Sequence, residues 1–126
     1  MNKYGQAAVM AVELLHSNHA LSPQDAWQKA TGELFSKSTH GQDKDCPRSA
    51  FLGLCEEGFV QGVVSGKYTG SKASKGYALK GVELLKQNPS LAKSPSTLWK
   101  AIGKGKRHNS QMDVVISLWE NNLIIR

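Results

Sequence analysis

Apolar residues recur every three or four positions along this chain, in blocks separated by short polar joints. That period predicts a series of amphipathic helices. Between 4 and 18, Tyr4, Ala8, Ala11, Val12 and Leu15 fall on one helical face. Ser22-Pro23-Gln24-Asp25 then supplies an N-cap, a proline suited to the first helical position and an acid able to reach back to the cap. The helix it opens runs to about Phe35 and buries Ala26, Trp27, Ala30 and Leu34. Ser36–Asp45 is polar and reads as a loop. Pro47 opens a third helix with Ala50, Phe51, Leu54 and Cys55 on one side, and Gly58 suits a left-handed stop.

The period then changes. Phe59–Val64 reads as a short strand, weakened by Gly62. Residues 65–76 are rich in Gly, Ser and Lys and read as a projecting loop or hairpin tip. Tyr77–Asn88 is again an amphipathic helix, stopped by Pro89. Ser94-Pro95 opens a helix with Leu98, Trp99 and Ile102, and a basic turn follows at 103–109. Ser110 caps a last helix with Val114, Val115, Leu118 and Trp119 on its apolar side, and the chain ends on an extended Leu123–Arg126.

Two stretches of this pattern match each other. The fourteen residues from Ala78 agree with those from Ala8 at seven positions, VELL included. After two added residues, Ala92 and Lys93, Ser22, Pro23 and Trp27 correspond to Ser94, Pro95 and Trp99. Further on, Leu54 and Glu56 recur as Leu118 and Glu120. The expectation is a mainly α chain forming one compact domain over 1–126. It comprises two related three-helix units, about 4–64 and 77–126, with a wing-like loop at 65–76. A unit of about 50 residues buries too little surface to be comfortable alone, so the two would share a core.

Composition narrows the class. The chain has 126 residues, 40% hydrophobic and 21% charged, as in globular proteins. No apolar run reaches the length of a membrane span, and Met1–Tyr4 lacks the layout of a signal peptide. With two cysteines and no Cys-x-x-Cys pair, a zinc finger is not expected, and the expected compartment is the cytoplasm.

Charge is uneven. Residues 1–62 carry five basic and seven acidic side chains, a balance of −2, whereas 63–126 carry eleven and three, a balance of +8. Such asymmetry suggests a surface facing a polyanion, against the plainer reading of a solvated Lys-rich face. Lys67, Tyr68, Lys72, Lys75 and Lys80 form one basic group and Lys104, Lys106, Arg107 and His108 another. Lysines on Gly-rich loops suit phosphate contact, and a tyrosine can stack on a base.

The order of the final helix, the E-x-G-F-V strand, the basic stretch and the returning Y-x-L resembles winged-helix domains, and the opening AVELL…ALSPQDAW resembles helix-turn-helix starts. That resemblance implies that the third helix faces DNA, with Arg48 and Ser49 as donors to bases or phosphates. Separately, CPRSAFLGLCEEGFVQGVVSGKYTGSKASKGYAL resembles a family of small bacterial proteins with no assigned function, which implies no activity.

Enzyme chemistry has little support. His16 and His19 sit three apart near a helix end and read as solvated. His40 and Cys46 lack an orienting partner for a dyad. GKGKR lacks the strand and the Lys-Ser/Thr ending of a P-loop. No cofactor and no metal are expected. The leading expectation is a non-enzymatic module bound weakly to DNA or RNA, and the alternative is a protein-interaction domain on the same scaffold.

Overall fold

Side-chain caps set where several helices begin. A computed structural model of the chain describes residues 2–103 and 108–126, without the side chains at 39 and 40. Helix α1 spans Lys3–Ser17, and the Asn2 side chain accepts from the Gly5 amide at 2.8 Å. Helix α2 spans Pro23–Leu34, with Ser22 Oγ accepting from the Asp25 amide at 3.1 Å. A single turn, α3 (Thr39–Gln42), lies within the stretch expected to be loop. Helix α4 spans Asp45–Glu56 and α5 spans Lys72–Gln87. A 3-10 turn, Pro89–Lys93, leads to α6 (Pro95–Ile102), where Ser94 Oγ accepts from the Thr97 amide. Helix α7 covers Gln111–Glu120.

Helices α4 and α7 form the centre. Every residue of α4 from Ser49 to Cys55 is buried, as is every residue of α7 from Gln111 to Trp119 except Asp113. A helix apolar all round has to be covered on all sides. The cover is crossed between the two halves. Helix α1 packs on α2 and on α7, while α5 packs on α6 and on α4. The first helix of each half therefore lies against the last helix of the other, and neither half encloses its own core.

Equivalent positions in the two halves make equivalent hydrogen bonds. Helix α4 ends with Phe59 N donating to Leu54 O at 3.0 Å and Gly58 N to Cys55 O at 3.1 Å. Helix α7 ends with Leu123 N on Leu118 O at 2.9 Å and Asn122 N on Trp119 O at 3.2 Å. Gly58 and Asn122, the left-handed residues of these two stops, have φ of 76° and 59°. After α1 and α5, the side chains of Asn18 and Asn88 accept from the amides of Ala20 and Ser90. Trp27 and Trp99 are both buried. Trp27 stacks on Phe51 at 5.2 Å, and Tyr77 meets Trp99 edge-on at 5.0 Å.

The winged-helix expectation is overturned. Among the described residues there is no β-strand, only an isolated antiparallel bridge between Val60 and Ile124. Gly62, at φ 74°, turns the chain immediately after this bridge. The second edge of a wing has no residues left to form it, because α5 begins at Lys72 rather than at Tyr77. The helix-turn-helix expectation fails for a further reason. A groove-reading helix presents a free face, and here Ser49, Leu52 and Gly53 of α4 are buried. Their cover is close: a Cβ placed on Gly53 would lie 2.7 Å from Lys75 Cβ. The DNA-binding expectation built on that scaffold falls with it.

Candidate functional site

The segment between α4 and α5 is irregular but tied down at several points, and Glu56 is the centre of the ties. Its carboxylate accepts from the amides of Tyr68 at 2.7 Å and Thr69 at 3.3 Å and from Lys75 Nζ. Its backbone carbonyl accepts from Gly66 N at 3.2 Å. Lys75 also reaches Glu57 at 2.6 Å. The Lys75 bond, followed by those of the two amides, holds the Glu56 carboxyl at about 2, well below its ordinary 4.5. The same two carboxylates push the Lys75 ammonium above its usual range. Helix α2 adds a further tie, with Gln24 Nε2 donating to Tyr68 O at 3.3 Å. The Tyr68 hydroxyl closes the loop on itself, donating to Val64 O at 2.6 Å.

This fixed loop presents Val64 to solvent. Val64 is 79% exposed, whereas Ile125, the other exposed large hydrophobic among the described residues, is 41% exposed. Val64 borders a cleft of about 330 Å³ whose wall includes Leu15, Leu21, Pro23, Val63 and Tyr68. Lys67 and Lys72, on the loop and at the start of α5, are both exposed.

A second cleft lies on the other side of the Gln24–Tyr68 contact, also about 330 Å³, and it is lined largely by polar groups. Helix α2 offers Gln24, Trp27, Gln28 and Thr31 at helical spacing. Gln42 and Asp43 come from beyond α3, and Asp45 and Arg48 from the first turn of α4. Trp27 is 1% exposed, and its indole Nε1 is buried without a hydrogen-bond partner. Leaving such a donor unpaired costs about 1–3 kcal/mol.

Several of the residues expected to meet nucleic acid are buried or already engaged. Ser49 is buried, donating to Asp45 Oδ1 at 3.0 Å and accepting from Thr69 Oγ1 at 3.3 Å. Lys75 is neutralised by two carboxylates, and Tyr68 is half-buried with its hydroxyl engaged. Arg48 lines the polar cleft together with Gln24. Lys104, Lys106 and Arg107 lie outside the described residues. Sequence reading missed Glu56, which looks there like an ordinary carboxylate at a helix end, and it missed the unpaired nitrogen of Trp27. The signal for the polar cleft was the face shared by Gln24, Trp27, Gln28 and Thr31.

Among the described residues no group of three His, Cys, Asp or Glu side chains could hold a metal ion. No described helix is long and apolar enough to cross a membrane. No curated protein and no solved structure matches the chain. A family model matches residues 1–125, and the chain thus belongs to a family of unknown function, DUF6979.

Proposed function

We propose that this protein is a non-enzymatic interaction module of the cytoplasm that docks an acidic segment of a partner protein through an apolar anchor. The observation that carries this reading is Val64, held 79% exposed beside a cleft of mixed polar and apolar lining by a loop that Glu56 fixes in place. Burying one such side chain contributes about 1.5–3 kcal/mol, and a preformed loop keeps that gain from being spent on ordering. Lys67, three residues further along the same loop, and Lys72, at the start of α5, are exposed positive charges, which favour an acidic partner and speed encounter. Cys46 and Cys55 are both free thiols, as suits a reducing compartment.

The test is selection from a random peptide display library, followed by measured affinities for the selected peptides. Peptides joining an apolar residue to several acidic ones are expected, with Kd near about 1 μM. Val64→Asp is expected to weaken them at least roughly tenfold, a loss of about 1.4 kcal/mol, while leaving the thermal melt unchanged. Peptides without that pattern, or with equal affinity for Val64→Asp, would refute the reading.

A further inference from the structure

We propose that the polar cleft between α2 and the first turn of α4 binds a small zwitterion of free amino-acid size. Three observations converge on it. Trp27 Nε1 is a buried donor without a partner, in a residue that lines the cleft. Arg48, half-buried at the same cleft, makes no hydrogen bond or ion pair with any described residue. Asp43 and Asp45 line the cleft too, yet neither lies within ion-pair distance of Arg48.

Separated opposite charges on the wall of one cleft form a dipole, and a dipolar ligand satisfies both ends. A carboxylate suits Arg48, whose planar fork takes two oxygens, and the indole N–H, sealed from solvent, gains an acceptor only when the wall shifts as the ligand enters. An ammonium suits Asp43 and the Asp45 oxygen that Ser49 leaves free. The amide side chains of Gln24 and Gln28 line the rest of the wall, where a polar side chain of the ligand would find donors and acceptors. A volume of about 330 Å³ holds roughly ten water-sized groups at about 30 Å³ each, the size of a free amino acid. The site is separate from the Val64 cleft, so it stands whether or not a protein docks there.

Titration of the ¹⁵N-labelled protein tests this directly. The indole N–H resonance of Trp27 is identified by its disappearance in Trp27→Phe. Free L-amino acids are added one at a time, alongside their N-acetyl and carboxamide derivatives. At least one free amino acid is expected to move that resonance saturably. Its N-acetyl and carboxamide forms, and the Arg48→Met protein, are expected to bind at least roughly tenfold more weakly. Gln28→Ala, at an exposed position, is expected to weaken binding with the fold intact, and it keeps the test open should Arg48→Met fail to fold. Val64→Asp is expected to bind the amino acid as the parent does. No movement of the Trp27 resonance at about 10 mM of any amino acid, or equal binding of the blocked derivatives, would overturn the proposal.

Discussion

Val60 and Ile124 face each other as an antiparallel pair, flanked by two hydrogen bonds that exchange the same positions of the two halves. Gln61 N donates to Leu123 O at 2.8 Å, and Ile125 N donates to Phe59 O at 2.9 Å. In the repeat, Phe59 matches Leu123 and Gln61 matches Ile125, so each bond is the image of the other under a local twofold. The same exchange places α1 on α7 and α5 on α4. Neither half is expected to fold alone, since each leaves its central helix without its main cover.

Removing the Glu56 carboxylate releases the presenting loop. Glu56→Gln is expected to raise amide hydrogen exchange at Tyr68 and Thr69 and to lower thermal stability. The sign with pH follows from the carboxyl being held at about 2 rather than its ordinary 4.5. Its contribution is complete above pH 4.5 and is lost as pH falls toward 2. Urea melts across that window are expected to show a steeper decline for the parent than for Glu56→Gln.

The closeness of α4 and α5 depends on Gly53. A Cβ there would sit 2.7 Å from Lys75 Cβ and 2.9 Å from its Cα, so backbone has to move. Gly53→Ala is expected to cost about 1–3 kcal/mol. Gly76, in the same helix as Lys75, has nothing within 4 Å of the added carbon. Gly76→Ala is expected to stabilise by about 0.4–1 kcal/mol. Denaturant melts of the two variants are expected to move in opposite directions.

Trp27 separates ring from nitrogen. Trp27→Ala removes a fully buried ring stacked on Phe51 and is expected to cost about 3–5 kcal/mol. Trp27→Phe gives up part of that area but also removes an unpaired donor worth about 1–3 kcal/mol. It is expected to cost well under half as much. Equal losses in equilibrium unfolding would mean that the indole nitrogen has a partner.

His108 fastens the start of α7, accepting from the Met112 amide at Nε2 over 3.0 Å. Burial, with a smaller push from Lys44, lowers its pKa below the usual 6.5, against the pull of Asp113. Only the neutral ring accepts at Nε2, so the contribution is present above pH 6.5 and fades as pH falls through the lowered value. His108→Ala is expected to lose about 0.5–1.5 kcal/mol at pH 8, the worth of one hydrogen bond, and less at pH 5 by the same melts.

Much of the helical frame was legible because caps are local chemistry. Ser22-Pro23 and Ser94-Pro95 carry their signals within four residues, and both helices begin there. The segment from Phe59 to Gly76 was not, because its pattern is ambiguous. A β-branched run followed by Gly, Ser and Lys has the composition of a strand and hairpin. What decides its path is Glu56 capturing the Tyr68 and Thr69 amides, together with Lys75 pairing back across Gly53. Those contacts join residues more than ten positions apart and leave no periodic trace. Helix α4 misled for a related reason. Its Ser49, Leu52 and Gly53 form the side away from Phe51 and Leu54, which only the arrival of α5 and the loop turns into interior.

The central claim, that Val64 and its cleft are the docking surface, is tested most directly by chemical-shift mapping. The ¹⁵N-labelled protein is titrated with a selected acidic peptide carrying one apolar anchor. The account predicts the largest changes at Leu21, Val63, Val64 and Lys67, and their loss in Val64→Asp. Changes centred elsewhere, or persisting undiminished in Val64→Asp, would contradict it.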